Sequence, residues 1–310
     1  YQEKIKNIVR NDKMYDSIII GAGIAGITSA IYLKRSNKKI LLIESNMPGG
    51  QINKTSRIDN YPGYLGDGPT LVSKMLEQLK KLGIEITYGN VVDIENQEKY
   101  KIVKTNNCEY KTSTIIIATG REPRKPDLKN LDKLVGHGVS YCASCDGYFY
   151  KNKDVIVQGG GNSALEESLL LSDIVKTVTI VHRKDKFTAD QILIDEVNKK
   201  QNINIKYNST IQELIESNGI LTGIKLDTGE ILNTSALFIY IGLIPTSYFL
   251  SKLGLKTQDN YIIVNDKMET SIKGIYACGD IIKKDIYQLV TAASEGATSA
   301  INVIKYIKGL

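Results

Sequence analysis

Two glycine-spaced turns constrain this chain more than any other feature in it. The first lies in "YDSIIIGAGIAGITSAIYLKRS". An apolar run from Tyr15 to Ile20 leads into Gly21-x-Gly23-x-x-Gly26 and a helical stretch, and "KKILLIE" follows as a second strand ending in Glu44. Strand, glycine turn, helix and strand in that order form the fingerprint of a dinucleotide-binding unit. Gly21 permits the tight turn, Gly23 lets backbone amides approach a pyrophosphate at the helix N-terminus, and Gly26 lets helix and strand pack closely. Glu44 falls eighteen residues beyond Gly26, where a carboxylate accepts hydrogen bonds from a ribose 2′-OH. The glycine spacing alone is weak evidence, since a merely tight strand-helix turn also produces it. The flanking strands and the acid give it weight.

The second copy is "DVIVQGGGNSALEESLLL", with Gly159-x-Gly161-x-x-Ala164, and the strand "TVTIVH" follows. Asn162 and Ser163 lie inside this turn, and Ala164 takes the packing role of the third glycine. The same eighteen-residue count from Ala164 lands on His182, followed by Arg183 and Lys184. A carboxylate there would repel a 2′-phosphate, whereas a basic cluster binds it by charge-assisted hydrogen bonds. The first site therefore suits the 2′-OH of an adenosine ribose, as in FAD or NAD, and the second suits NADP. A solvated basic loop is the competing explanation of His182 to Lys184.

At 310 residues, the chain has the length of two domains. With 42% hydrophobic and 24% charged residues, it has the composition of a soluble globular protein, and no apolar run is long enough to span a membrane. "YQEKIKNIVRNDKM" lacks the apolar stretch of a secretory signal, and Met14 reads as a natural start with an extension before it. A Lys-rich solvated surface accounts for the net charge of +6, and nothing calls for a nucleic-acid partner. Four cysteines are too few for a disulfide framework, so a reducing, cytoplasmic setting is expected.

After the first unit come a Gly/Pro/Asn-rich loop, "GGQINKTSRIDNYPG", a helix in "TLVSKMLEQLKKLG", and short strands around residues 84 to 118. "TSTIIIATG" ends a buried strand at Gly120, and "REPRKP" is a linker by composition. "TSALFIYIGLIP" is another buried strand, and the tail reads as strand, turn and closing amphipathic helix. The pattern resumed after "IGLIP" implies that the C-terminal segment completes the first domain. The expected fold is α/β, with two Rossmann-like three-layer dinucleotide-binding domains, the second inserted into the first. Residues 1–120 and 243–310 form the first domain and residues 121–242 the second, with hinges near Gly120 and Gly242.

Cys142-Ala143-Ser144-Cys145, followed by Asp146, lies just before the second turn. It offers half a zinc site, but Cys108, Cys278, His137 and His182 are not paired at ligand spacing, so no metal is expected. Cys278 reads as core and Cys108 as part of a polar turn. A redox dithiol is the favoured alternative, with Asp146 beside it to give or take a proton.

From Tyr15 to Leu310 the chain resembles the low-molecular-weight thioredoxin reductases. The resemblance rests on the first glycine turn, "GGQ" at Gly49 to Gln51, "NYPG" from Asn60, "ATG" at Ala118 to Gly120, "CASCDG", the second turn, "VHRK", and "CGD" at Cys278 to Asp280. A CxxCDG just before GGGNSA is specific, because larger disulfide reductases carry their cysteines soon after the first turn. The resemblance implies FAD on Gly21, Ala22, Gly23, Ala25, Gly26, Glu44, Ser45, Gly49, Gly50 and Gln51. It extends that site to Asn60, Ala118, Thr119, Gly120, Gly279, Asp280, Gln288 and Leu289. It implies NADPH on Gly159, Gly161, Asn162, Ser163, Ala164, His182, Arg183 and Lys184. It makes Cys142 and Cys145 the redox pair and Asp146 the acid, with Cys145 nearer the flavin and Cys142 attacking thioredoxin. A rotation about the two hinges would present NADPH and the disulfide in turn to the flavin. A homodimer is also implied.

Three departures bear on the donor. Lys184 and Thr188 stand where the family has Arg, and Tyr287 where many members have Arg, so NADH or ferredoxin is the alternative donor. A non-catalytic dinucleotide-binding redox sensor is the alternative from another class. A peroxiredoxin-linked reductase would need an additional N-terminal domain, for which residues 1–14 leave no room.

Overall fold

The structure, a computed structural model, describes residues 9–55 and 58–309. The first eight residues of the expected extension, residues 56–57 of the Gly/Pro/Asn-rich loop and residue 310 lie outside the described residues. The chain divides into two compact units, one of residues up to Glu122 together with those from Pro245, the other Pro123–Ile244.

In the first unit, the apolar runs become parallel strands. Ile86–Tyr88, Ile40–Glu44, Val9–Ile20 and Cys108–Ile117 lie side by side in that order, and Ile275–Ala277 pairs with the end of Cys108–Ile117. Ile18 pairs with Leu41 on one side and Ile115 on the other. Both faces of these strands are covered, so the runs are continuous rather than alternating, and Ile18, Ile19, Ile115, Ile116 and Ile117 are all fully buried. On one face Ile19, Leu42 and Ile116 meet Ile27, Ala30 and Leu33 of the helix Ile24–Arg35. The same face meets Ala292, Ala300 and Val303 of the closing helix Leu289–Lys308. On the other face Ile18, Ile43 and Ile117 meet Val91, Ile94 and Val103 from the antiparallel strands Val91–Asn96 and Lys101–Thr105. The unit thus has three layers.

Two local expectations are corrected here. The first strand begins at Val9 rather than Tyr15, because the backbone of Val9 to Asn11 pairs with Cys108 to Tyr110. Cys108 accordingly opens a strand instead of lying in a turn.

The second unit repeats the plan. Its parallel strands run in the order Val139–Ser140, Ala236–Tyr240, Asp154–Gly159, Thr177–Val181, Ile203–Lys206. The helix Asn162–Ser172 brings Ala164, Leu165 and Leu171 onto Val155, Val157 and Phe238. On the opposite face, Ile156, Leu237 and Ile239 pack on Leu214, Ile224 and Leu226 of an antiparallel ribbon. The two segments that lead between the units, Arg121–Pro123 and Leu243–Pro245, pair as a two-stranded ribbon. "REPRKP" is therefore partly strand. Pro123 pushes the residue before it into the extended region, which composition alone reads as linker. Among the described residues no helix is long and apolar enough to cross a membrane.

Main-chain contact locks the first unit together. A Cβ on Gly296 of the closing helix would lie 2.3 Å from the Ala25 carbonyl oxygen of the first helix. Neither backbone can retreat without unpacking its helix. Gly296→Val should therefore destabilise the protein by about 2–3 kcal/mol, read as a lowered Tm.

Candidate active site

The first glycine turn is built from backbone proximity. Gly21 has φ +104°, and a Cβ there would lie 2.4 Å from the Ala118 carbonyl oxygen, while one on Gly26 would lie 1.9 Å from the Gly21 carbonyl oxygen. Gly23 differs: it caps the helix Ile24–Arg35 with extended backbone and has nothing within 4 Å of a Cβ. The open space left at the helix N-terminus by Gly23 fits the cradle a pyrophosphate requires, and a side chain there would intrude on it. Glu44, at the end of its strand, faces this turn. Its Oε2 accepts from the Ala22 N–H at 2.7 Å and its Oε1 from the Asn46 N–H at 2.8 Å, with the Ser45 hydroxyl at 3.4 Å. The donor set and cradle fit a dinucleotide.

Other residues read from the sequence gather in the same unit. The Gly49 N–H donates to the Ala22 carbonyl at 2.7 Å, and Gly50 follows with φ +56°. Gln51 donates to the Arg121 carbonyl at 3.0 Å, and the Thr119 hydroxyl donates to the Thr246 carbonyl at 2.9 Å. The Gly120 carbonyl accepts from the Thr246 N–H at 3.1 Å. Asn60 donates to the Gln288 side chain at 3.2 Å, and Gln288 caps the closing helix that begins at Leu289. A Cβ on Gly279 would lie 2.9 Å from the Ala25 methyl.

Sequence reasoning missed the charges around Asp280. Arg121 bonds it at 2.9 Å while stacking 4.1 Å above the Tyr287 ring. Lys284 bridges Asp280 at 3.5 Å and Glu295 at 2.8 Å, and Glu295 also accepts from the Gly279 N–H at 2.8 Å. Burial lifts the Glu295 carboxyl above its usual range, against the pull of Lys284. The only sequence signal was an arginine directly after "ATG".

In the second turn, a Cβ on Gly159 would lie 2.3 Å from the Tyr240 carbonyl oxygen, and Gly161 caps the helix Asn162–Ser172. Ser163 is exposed and Ala164 buried beneath the turn. Asn162 exchanges two hydrogen bonds with Asp190, each 2.8 Å. The basic cluster splits. Arg183 and Lys184 are exposed, but His182 is buried, its Nε2 lies 3.0 Å from the Lys186 carbonyl, and its ring packs on Phe187. Burial pushes its pKa down, so the imidazole is neutral near pH 7. A Cβ on Gly160 would lie 2.3 Å from the His182 ring. His182 thus shapes the loop, and exposed Lys186, which the sequence reading passed over, adds charge beside Arg183 and Lys184. Thr188 folds back to donate to the Gly160 carbonyl through both N–H (2.8 Å) and hydroxyl (3.2 Å).

Cys142 and Cys145 are joined as a disulfide with Cα atoms 5.3 Å apart. Cys142 is buried and Cys145 exposed, while Cys278 lies fully buried elsewhere. Four side chains hold the turn. The Ser140 hydroxyl donates to Asp146 at 2.7 Å and accepts from the Cys142 N–H at 3.0 Å. The Tyr240 hydroxyl oxygen accepts from the Ala143 N–H at 2.7 Å, and the Glu167 carboxyl accepts from the Ser144 N–H. Ser140, Tyr240 and Glu167 carried no signal in the sequence, because only the strand register and helix packing bring them to the cysteines.

A CxxC disulfide held by the same unit as a dinucleotide-type turn defines a disulfide oxidoreductase. A family model described as pyridine nucleotide-disulphide oxidoreductase matches residues 15–297, and the chain belongs to that family. The family implies a flavin and a pyridine nucleotide. Within it, the chain is 43% identical over 305 residues to the thioredoxin reductase of Bacillus subtilis (strain 168), covering 96% of each. It is 42% identical over 305 residues to that of Listeria monocytogenes serovar 1/2a (strain ATCC BAA-679 / EGD-e), again covering 96% of each. A crystal structure of Lactococcus lactis thioredoxin reductase (FR conformation) matches with a TM-score of 0.90 and 42% identity, covering 96% of this chain and 100% of that one.

Ser140 supports both the acid and the turn. Ser140→Ala removes the donor to Asp146 and leaves the Cys142 N–H without its acceptor. The oxidised protein should lose about 1–3 kcal/mol, and its melting curve should show this as a lowered Tm.

Proposed function

We propose that the chain is a thioredoxin reductase that takes electrons from NADPH through FAD to the Cys142–Cys145 disulfide and on to oxidised thioredoxin. The observation that carries this reading is the closed CxxC disulfide with Asp146 tied to it through Ser140. FAD would lie on the Gly21–Gly26 turn with Glu44 near its ribose, along Gly49–Gln51, and beside Gly279, Asp280 and Gln288. NADPH would lie on the Gly159–Ala164 turn with its 2′-phosphate against Arg183, Lys184 and Lys186. The flavin, when bound, supplies the two-electron relay between nucleotide and disulfide.

The chain's own residues perform the exchange. Two electrons delivered to the disulfide break its S–S bond, and protons taken up at sulfur leave a dithiol. The Cys142 thiolate attacks the partner disulfide, forming a mixed disulfide and expelling one partner thiolate. Cys145 then attacks Cys142, which restores the intramolecular bond and releases the second partner thiolate. Asp146 accepts and returns the proton that makes each cysteine a nucleophile or a leaving group. Since Cys142 is buried and Cys145 exposed, Cys142 must be uncovered before it can attack. The same reading makes the protein a cytoplasmic homodimer.

Anaerobic stopped-flow reduction of the flavin with NADPH, NADH and ferredoxin tests the donor. NADPH should reduce it with the lowest KM. The double change Arg183→Ala and Lys184→Ala should raise that KM at least about tenfold, through the loss of charged hydrogen bonds worth about 1.5–3 kcal/mol each. The KM for NADH should hardly move. Reduction by ferredoxin alone overturns the donor assignment. Full turnover with thioredoxin after Cys142→Ser or Cys145→Ser overturns the exchange.

A further inference from the structure

Beneath the disulfide lies a second carboxyl that the exchange above does not use. Glu167 projects from the helix Asn162–Ser172, which packs through Ala164, Leu165 and Leu171 on the apolar face that also holds Ala143. One oxygen side of its carboxyl takes the Ser144 N–H, in the first turn of the CxxC helix Ala143–Asp146. Its Oε2 is buried with no hydrogen-bond partner. Ser144 in turn sets its hydroxyl 3.4 Å from the Cys142 sulfur. Carboxyl, Ser144 and sulfur therefore form one connected chain. The adjacent amide, from Ala143, is taken by the Tyr240 hydroxyl, whose own ionisation burial and the Glu167 charge both oppose.

We propose that Glu167 is a positioning residue of the redox pair that grips the CxxC turn through Ser144 and, by its own gain or loss of a proton, sets how readily the neighbouring thiols ionise. A glutamine would hold the Ser144 N–H equally well, so the grip alone does not call for an acid. The acid adds a charge that can be switched. Burial first, and the neighbouring Glu166 second, lift its pKa to about 7, against the Ser144 hydrogen bond. The titratable groups around it are Glu166 on its own helix, Asp146 and the two cysteines on the CxxC turn, and Tyr240 on the strand Ala236–Tyr240. All of them become negative on ionising, so each disfavours the charge of the others.

The consequence follows from the balance at sulfur. Two electrons split the S–S bond into two sulfur anions, and uptake of one proton leaves one thiol and one thiolate. Below pH 7 Glu167 is neutral, and the thiolate forms beside an uncharged acid. Above pH 7 Glu167 is negative, the thiolate is penalised, and the reduced pair holds its second proton to higher pH. The grip on Ser144 persists in both states.

This inference rests on Cys142 and Cys145 being the redox pair, and its test uses neither NADPH nor thioredoxin, so the two readings fail separately. The flavin-loaded protein and its Glu167→Gln variant are reduced with dithiothreitol, freed of it anaerobically, and alkylated with iodoacetamide from pH 5.5 to 9. Mass spectrometry follows each cysteine. The variant-to-wild-type rate ratio should be near one at pH 6 and rise several-fold, to about fivefold, around pH 8, since one unit of thiol pKa is up to a factor of ten in thiolate below the thiol's own pKa. A ratio independent of pH overturns the proposal and leaves Glu167 a mere support. Should Glu167→Gln not fold, the oxidised wild type decides by infrared spectroscopy. A protonated-carboxyl band that fades around pH 7 supports the assignment, and the absence of any such band above pH 6 overturns it. Where both proteins fold, melting adds a sign test. A raised carboxyl stabilises the fold at low pH and loses that contribution as the pH climbs to about 7. Glu167→Gln should therefore gain Tm over the wild type between pH 5 and pH 8, and an unchanged difference counts against the proposal.

Discussion

The chemistry of the second unit depends on the end of one buried parallel strand. Tyr240 closes the strand Ala236–Tyr240 and pairs in register with Gly159. Its carbonyl lies where any side chain on Gly159 would have to go, which fixes the second glycine turn. Its hydroxyl takes the Ala143 N–H, which fixes the disulfide turn. One residue therefore holds the second glycine turn through its main chain and the CxxC turn through its side chain. The burial that keeps this hydroxyl protonated also keeps it neutral as thiolate charge comes and goes nearby. The cysteine pair is thus stationed beside the second glycine turn for a mechanical reason, since both are anchored on the same strand end.

A comparable economy operates in the first unit, through charge rather than backbone. Arg121, Asp280, Lys284 and Glu295 form a half-buried row of alternating sign, with Tyr287 laid under the Arg121 guanidinium and against the Lys284 ammonium. Ion pairs removed from water contribute little net stability, because desolvation consumes most of the attraction. Their use is geometric. The row ties the residue after Gly120, the turn at Gly279 and the closing helix into one arrangement. Tyr287 serves as the platform for the Arg121 cation.

The sequence disclosed the parts governed by local rules. Continuous apolar runs marked buried parallel strands, and glycine spacing marked both turns, because positive φ or backbone contact leaves only glycine at Gly21, Gly26 and Gly159 and open space is kept at Gly23. The α/β class and the three-layer units follow from these. The sequence could not disclose what depends on which elements meet. His182 counts as basic by type and by position, yet packing under Gly160 makes it a neutral wedge. Arg121 stood in a segment that composition reads as linker, and Cys108 in one that polarity reads as turn. Ser140, Tyr240 and Glu167 come from three separate elements, and only the register of the sheet and the docking of one helix bring them to the cysteines.

The redox turn consequently carries two carboxyls in unlike surroundings. Asp146 accepts from a serine that is itself bonded to the turn. Glu167 has one oxygen satisfied by an amide and the other buried without a partner, and burial lifts its pKa to about 7. On the proposed mechanism the two acids divide their labour: Asp146 exchanges protons with sulfur, and Glu167 gains or loses one near neutral pH. At a disulfide this division has particular value. Reduction adds two negative charges and fewer protons than charges, and an acid that stays neutral beside the new thiolate avoids adding a third. The position of Glu167, one residue beyond Glu166 on the helix that opens with the nucleotide turn, couples the same helix to both events. That helix begins at the second glycine turn, and from its second turn Glu167 reaches Ser144 of the CxxC turn.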